Sequence, residues 1–151
     1  MRKTICGILI AATTIVTTMT LASCDIETSS AAGDFNGMWH LTRVDTIATG
    51  GVLDLKNEKI FWSFQYKLMQ ADDKNEKLAK ILMRFNQTNT QLTLHTPYCY
   101  DRENGDVPLS DPTLLAPYGI NKLEENFQVI KLTGSKMVLQ SETLKLTFKG
   151  F

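Results

Sequence analysis

Apolar and polar residues alternate with a period of two along most of the chain beyond residue 58. In the longest run, KIFWSFQYKLMQ at 59–70, one face carries Ile60, Trp62, Phe64, Tyr66 and Leu68. The runs at 79–86, 91–96 and 143–149 repeat the pattern. A period of two, with many aromatic and few helix-favouring residues, is typical of β-strands that bury one face.

The connections between these runs are short and polar, as in β-hairpins. Consecutive runs are separated by the segments 71–77, 87–90 and 133–136. Runs that follow each other this closely favour antiparallel neighbours. The run FQVIKL alternates except where Val129 and Ile130 are adjacent, and we predict a β-bulge there.

Two segments interrupt the alternation. GGVLDLKN at 50–57 is either a loop or a short extra strand. The segment 97–121 contains all four prolines of the chain and is too long for a turn. Within it, Asp111 can cap a short helix that begins at Pro112 and stops before Pro117. The chain therefore reads as a meander of strands that is interrupted once.

The pattern predicts an all-β fold. An open sheet of seven or eight strands would leave long edges and an uncovered aromatic face, because one short helix is too little cover. Closing the sheet removes both problems. We therefore predict an up-and-down antiparallel meander of seven or eight strands that forms a small barrel, with one short helix in the long loop. A barrel of this size has room for filling side chains or for one small ligand.

The start of the chain has the organisation of an export signal. Arg2 and Lys3 precede an apolar stretch at 5–20, which ends in the sequence LASC. LASC resembles the lipobox of bacterial lipoproteins, which implies cleavage before Cys24 and acylation of that cysteine. A coincidental cysteine beside an ordinary cleavage site is the alternative.

These features divide the chain into three segments. We expect a signal peptide at 1–23, a lipidated flexible tether at 24–33 and the barrel domain at 34–151. Several acyl chains on Cys24 would bind the membrane stably, since each buried CH₂ contributes about 0.8 kcal/mol. We therefore expect an exported protein anchored in the cell envelope, at the outer membrane rather than the inner one, with its periplasmic or surface face left open.

Composition and charge add little to this picture. The chain has 16 basic and 16 acidic residues and no basic cluster in its sequence, so nucleic acid is not an expected partner. Once Cys6 leaves with the signal and Cys24 is acylated, Cys99 stands alone and no internal disulfide is expected. A lone cysteine is either a small packed apolar residue or a nucleophile.

The sequence contains no recognisable catalytic motif. His40 and His95 are the only histidines, and both fall on the expected outer faces of strands. The acidic residues at 101–111 lack the spacing of a calcium-binding loop. We expect no enzymatic activity, no cofactor and no metal.

A tripeptide near the start of the expected domain indicates a family. GMW at 37–39 resembles the glycine-x-tryptophan signature in the first strand of lipocalins. The whole layout is similar to the lipocalin-like lipoproteins of Gram-negative envelopes, with a lipobox, a short tether, the GMW strand, a meander and two final hairpins. The resemblance covers residues 35–151.

The resemblance implies how one end of the barrel is closed. In lipocalins the tryptophan of the signature packs under a basic side chain from near the last strand. Gly37 and Trp39 match the signature, and Lys149 or Lys145 would supply the basic side chain. Lipocalins usually have arginine at that position.

The resemblance also implies a ligand cavity. We expect its lining to consist of Arg43, Trp62, Phe64, Tyr66, Met83 and Phe85. An inward-facing Arg43 would suit a carboxylate or phosphate head group, whereas a bulge in its strand would turn it to solvent. The alternative for the aromatic residues is that they simply fill the barrel.

Two functions therefore remain open. The first is a carrier or sensor that holds a small, mostly apolar molecule inside the barrel. The second is an interaction or inhibitor module with a filled barrel, which acts through the 97–121 loop. In that case the exposed anchors would be Tyr98, Tyr100, Leu114, Leu115 and Tyr118.

Overall fold

The structure is a computed structural model of the 151-residue chain and describes residues 31–151. The expected signal peptide, Cys24 and most of the expected tether lie outside the described residues. The strands are β1 Gly37–Thr46, β2 Val52–Asp54, β3 Ile60–Gln65, β4 Leu68–Asp73, β5 Ile81–Gln87, β6 Gln91–Cys99, β7 Val107–Pro108, β8 Glu125–Thr133, β9 Lys136–Gln140 and β10 Leu144–Gly150. Short 3₁₀ helices occupy Gly33–Phe35, Pro112–Leu114 and Ala116–Tyr118. None of the helices in this part of the chain has the length and apolar character needed to cross a membrane.

Eight of the strands form a closed antiparallel barrel, as predicted. The order around the ring is β1, β3, β4, β5, β6, β8, β9 and β10. The first and last strands close it, with a register that runs from Trp39 opposite Gly150 to Thr46 opposite Leu144. Strands β2 and β7 lie off the ring, and the pairings found for them are to β1 and β6. The ambiguous 50–57 segment thus contains a short strand.

The connections alternate between two ends of the barrel. The proximal end is where the chain enters β1, and it also carries the turns at 66–67, 88–90 and 134–135. The distal end carries the longer connections at 47–59, 74–80, 100–124 and 141–143. The 97–121 loop therefore belongs to the end opposite the tether.

Side chains from all around the ring fill the barrel interior. Trp62 is fully buried, and its ring centroid lies 4.9 Å from that of Phe148, 5.8 Å from Phe127 and 6.3 Å from Phe64. Aromatic pairs at such distances are each worth about 0.5–1.5 kcal/mol beyond their buried area. Other interior side chains with no exposed surface are Met69, Met83, Leu92, Leu94, Leu139 and Leu146. The centre of the barrel is a packed core.

Local irregularities follow the sequence in part. The register between β8 and β9 shifts between Val129 and Lys131, so the predicted bulge is present. The predicted short helix is present as two consecutive 3₁₀ helices, with Pro112 opening the first. The Asp111 carboxylate accepts a hydrogen bond from the Thr113 N–H at 2.8 Å, as an N-cap does.

Packing against the barrel begins before the expected domain boundary at residue 34. Ala32 is fully buried, and the Ala31 carbonyl accepts a hydrogen bond from the Gln87 side-chain amide at 3.1 Å. The positive φ of Gly33, 53°, lets the chain turn into the first 3₁₀ helix. Residues 31–33 of the expected tether are therefore part of the folded body.

Candidate functional site: the capped distal end of the barrel

Four of the six expected ligand-lining residues lie in the barrel interior. Trp62, Phe64, Met83 and Phe85 are all buried in the core. They contact each other and other core side chains, for example at 5.2 Å between the Phe64 and Phe85 ring centroids. Their interior position follows from strand alternation. An interior position does not by itself give these four side chains a role in ligand binding.

Arg43 lies on the outside of the barrel, so its expected inward position is wrong. The register between β1 and β10 shifts between Leu41 and Arg43, and this bulge turns the guanidinium to solvent. There it forms an ion pair with Asp45, with Nη2 2.7 Å from Oδ1. Its hydrogen bond to Asp45 raises the pKa of the Arg43 guanidinium further. Arg43 therefore cannot hold a head group inside the barrel in this arrangement.

Tyr66 also lies outside, so its expected lining role is wrong in this structure. Strand β3 ends at Gln65, and Tyr66 occupies the turn to β4 with a φ of 55° and an exposed fraction of 52%. Apolar and polar residues keep alternating through the turn although β3 has already ended. Periodicity alone therefore cannot show where the strand ends.

Trp39 lies near the proximal end and packs into the core. Its indole N–H donates a hydrogen bond to the Phe35 carbonyl at 2.8 Å, which ties β1 to the 3₁₀ helix before it. Gly37 has a φ of 121°, a conformation that only glycine adopts readily, and so lets the chain turn between the two. Glycine and tryptophan of the signature thus hold the start of β1 to the 3₁₀ helix before it.

The expected basic cover over Trp39 is absent from the described residues. Lys149 lies between the inward-facing Phe148 and Gly150, so its exposed side chain points outward, and the residue pairs with His40 across the sheet. The cation–π contacts in residues 31–151 both involve Tyr100. The stacking implied by the resemblance, through Lys149, is therefore wrong for this chain.

The long loop closes the distal end with apolar side chains. Leu115, Tyr118 and Ile120 are fully buried and belong to the same core as Trp62. The Trp62 indole N–H donates a hydrogen bond to the Tyr118 carbonyl at 3.2 Å. We call residues 115–120 the distal plug. The expectation that Leu115 and Tyr118 are exposed anchors is wrong, because burying them caps the core.

The Tyr118 hydroxyl holds the distal plug to a neighbouring connection. It donates a hydrogen bond to the Ala79 carbonyl at 2.9 Å. Burial, together with the nearby carboxylates of Asp72 and Asp73, raises the pKa of Tyr118 above its ordinary value of 10. The hydroxyl therefore stays neutral and keeps donating at physiological pH.

This raised pKa predicts a specific pH dependence of stability. Above the unfolded-state pKa of about 10, the unfolded chain loses a proton that the folded chain retains. Tyr118 therefore favours unfolding increasingly as pH rises beyond that value. The fall in the free energy of unfolding at alkaline pH should be shallower in Tyr118→Phe than in the wild type, as measured by urea denaturation between neutral and alkaline pH. Tyr66→Phe, at an exposed position, is the control, and an unchanged slope in Tyr118→Phe would contradict the assignment.

Buried carboxylates on the distal connections have structural partners. Asp73 accepts hydrogen bonds from the Asn75 and Lys77 N–H groups at 2.9 and 3.0 Å. Glu125 likewise accepts from the N–H groups of Asn121 and Lys122, at 2.5 and 2.9 Å. Among the described residues every fully buried polar side-chain atom has a hydrogen-bond partner. These acids shape the loops.

Beyond the plug, apolar side chains at the distal end face solvent. The distal surface comprises residues that are each about half exposed: Ile47, Val52, Leu53, Val107 and Leu114. Three of them lie on the connection between β1 and β3 and two on the connection between β6 and β8, and Thr143 bonds to both connections. The Thr143 carbonyl accepts from the Ile47 N–H at 2.9 Å, and its hydroxyl accepts from the Asn121 side chain at 3.1 Å. Beside these side chains, β2 and β7 present strand edges with no pairing in the described part of the chain.

The 101–111 segment gives one side of the distal surface a net negative charge. Hydrogen bonds from Asn104 and from Thr113 lower the pKa values of Asp101 and Asp111, respectively, so both stay ionised. Glu103 and Asp106 lie between them in sequence. The distal surface therefore combines apolar side chains, open strand edges and an acidic border.

The described residues offer few further candidates for a nucleophile or a metal site. Cys99 is an unpaired, half-buried thiol on β6. Within residues 31–151 no three histidine, cysteine, aspartate or glutamate side chains are grouped so that they would hold a metal ion.

Comparison with known families gives one match that spans the barrel. A family model described as a lipocalin-like domain matches residues 19–151. No curated protein matches the chain significantly.

Two crystal structures share the fold. A lipocalin-like protein from Bacteroides uniformis superposes with a TM-score of 0.59 and 20% identity, over 79% of this chain and 100% of its own. An uncharacterized protein from Bacteroides eggerthii has a TM-score of 0.53 and 18% identity, over 78% of this chain and 99% of its own. Identities this low establish similarity of fold.

Proposed function

This chain belongs to the family of lipocalin-like domains, and from that premise we propose that it is a lipid-anchored envelope protein that binds a protein partner. The partner would contact the distal surface. The barrel would act as a rigid support, and acylated Cys24 would anchor the chain, at the outer membrane rather than the inner one.

The observation that carries the proposal is the filled interior. A preformed ligand site needs a cavity of about 300 Å³ or more. The space where a ligand would sit holds Trp62 and its aromatic neighbours, and the distal plug covers it. A ligand would have to displace several side chains that each cost about 3–5 kcal/mol to remove from a core. The geometry therefore favours a function at the surface.

The distal surface has the chemistry of a protein-binding site. Half-exposed branched side chains such as Leu53 and Leu114 provide apolar contact area. The open edge of β2 can accept an extended segment by strand addition. Because the 101–111 segment is acidic, the expected partner presents an apolar patch bordered by basic residues.

The position of this surface fits a tethered protein. The chain enters the barrel at the proximal end, where Ala31 bonds to Gln87. A lipid on Cys24 would hold that end near the membrane and leave the opposite end free. The distal surface would then face away from the bilayer.

Photo-crosslinking in intact cells tests the proposal. With benzoylphenylalanine at Leu114 or Leu53, we expect one discrete crosslinked protein of fixed mass. The same probe at Gln128, which is exposed on the outer face of β8, is the matched control and should yield no such product. The additional change Val107→Asp should reduce the Leu114 product, since it places a charge within the apolar contact area.

Equal crosslinking from Gln128 and Leu114 would contradict a distal partner site. Because the chain belongs to the lipocalin-like family, a carrier of a small apolar molecule is the second candidate function. It would require the distal plug to move and open the barrel interior. Native mass spectrometry of the purified protein distinguishes the two functions, because a bound ligand adds to the measured mass. If the protein binds a partner at its surface, we expect only the mass of the chain with its lipid anchor. A second retained apolar molecule would favour the carrier.

A further inference from the structure

The balanced charge of the sequence is unevenly distributed on the folded protein. Basic side chains dominate the proximal end, where the turns and nearby strand segments carry Lys67, Arg84, Lys131, Lys136 and Lys149. Among the described residues, Asp34 is the acidic residue of that end. Acidic residues outnumber basic ones at the distal end, where the 101–111 segment has four acidic residues and one basic residue. The barrel therefore has a positive proximal end and a negative distal end.

The proximal basic groups are available for a partner. All five are exposed. None takes part in an ion pair within residues 31–151, whereas the paired cations of this part are Arg43, Lys56, Lys74, Lys80 and Lys122. Unpaired cations on one surface produce a field that attracts an anionic surface.

Apolar side chains accompany these cations. Tyr66 and Leu68 flank Lys67 at the β3–β4 turn and are 52% and 45% exposed. Ile130, at the β8 bulge, is 47% exposed beside Lys131. Aromatic and aliphatic side chains next to lysines are suited to the boundary between lipid head groups and acyl chains.

The tether enters at this same end. Ala31 is the seventh residue after Cys24, and seven residues of fully extended chain span at most about 25 Å. A lipid on Cys24 thus keeps the proximal end within reach of the bilayer. We propose that the proximal end docks on an anionic membrane surface, with the basic residues at the head groups and Tyr66 and Leu68 inserted between them. The orientation rests on the lipid anchor of the proposed function, but the docking surface itself can be tested without it.

Vesicle binding of the unacylated domain tests the docking surface. Within the described residues the buried core side chains lie between Ala32 and Phe148, and the strands of the closed barrel lie between Gly37 and Gly150, so residues 25–151 contain the complete barrel. We expect this domain to sediment with vesicles of phosphatidylglycerol and phosphatidylcholine but not with phosphatidylcholine alone. Raising the salt from about 0.05 M to about 0.5 M should release it, because the Debye length shortens.

Substitution of three proximal lysines should weaken this binding strongly. A basic residue near an anionic surface strengthens binding about fivefold, so Lys131→Gln, Lys136→Gln and Lys149→Gln together should lower the partition coefficient roughly a hundredfold. The matched control removes the same charge from the distal end, with Lys59→Gln, Lys77→Gln and Arg102→Gln. The control should bind like the wild type, and thermal melting establishes that both triple variants are folded.

Insertion of the turn has its own readout. The emission of Tyr66→Trp should shift to shorter wavelength on anionic vesicles and be quenched by brominated acyl chains. The same probe at Gln128 should not change. Three results would each overturn the docking proposal. The first is equal binding to neutral and anionic vesicles, and the second is an equal loss of vesicle binding in the two triple variants. The third is a preference for soluble polyphosphate over vesicles. The lipid anchor is tested separately by Cys24→Ser, which should release the full-length protein from membranes. The anchor proposal and the docking proposal can therefore be contradicted independently of each other.

Discussion

Replacement of Trp62 by alanine is expected to lower the free energy of unfolding by about 3–5 kcal/mol, a large share of the 5–15 kcal/mol typical of a domain. The fully buried indole contacts aromatic rings from three other strand positions and donates a hydrogen bond to the distal plug. Its removal leaves a cavity and an unpaired Tyr118 carbonyl. Urea denaturation with an unchanged m-value measures the loss.

The same variant tests whether the interior is full. An apolar cavity of indole shape should bind free indole, and ligand at 100 times its dissociation constant restores about 2.7 kcal/mol. Tyr66→Ala, which truncates an exposed aromatic residue, is the control and should change stability by no more than about 0.5 kcal/mol. If Trp62→Ala cost less than about 1 kcal/mol, the indole would border a pre-existing cavity and the carrier would become the better hypothesis.

Replacement of Gly119 by alanine is expected to cost about 2–4 kcal/mol. Gly119 ends the last 3₁₀ helix with a φ of 83°, which penalises any other residue. A Cβ atom there would lie 2.7 Å from Cδ2 of Leu146, which is fully buried and has little room to move. The loss should be local at first, so hydrogen exchange of residues 115–120 should accelerate more than that of the strands.

Gly134→Ala is the matched control for this prediction. A Cβ atom at Gly134 would meet nothing within 4 Å, and this glycine lies in a proximal turn. We expect it to leave stability nearly unchanged. Equal effects of the two substitutions would mean that the distal plug is not packed on Leu146.

The two ends of the barrel have different consequences for function. The proximal end combines the tether entry with unpaired cations, whereas the distal end combines a packed plug with exposed apolar side chains and acids. Both proposals draw on this polarity. Neither uses the barrel interior, which in this arrangement serves stability.

Much of the fold was predictable because it depends on local pattern. Alternation along 59–70 and 143–149 determines which residues face inward, and short polar connections determine that neighbours are antiparallel. The bulge beside Val129 was visible as two adjacent apolar residues. The positions of Trp62, Phe64, Met83 and Phe85 followed from the same rule.

The errors arose where a side chain's position depends on the register between strands or on where a strand stops. The bulge at Arg43 shifts the alternation by one position, so that the two polar residues Thr42 and Arg43 separate Leu41 from Val44, and this break was the available sequence signal. Tyr66 continues the alternation beyond the end of β3. Leu115 and Tyr118 stand in a proline-rich loop, and their apolar character was the available signal that this loop folds back onto the core.

The sequence by itself determined that the chain alternates into antiparallel strands with an aromatic inner face, since a period of two is a property of consecutive residues. Only the tertiary structure decided that this face is packed full, that the long loop caps it, and that balanced charges separate between the two ends. These three properties depend on which distant segments meet around the ring. Strand register, bulges and the folding of the long loop determine which distant segments come into contact. No single segment of the sequence contains that information.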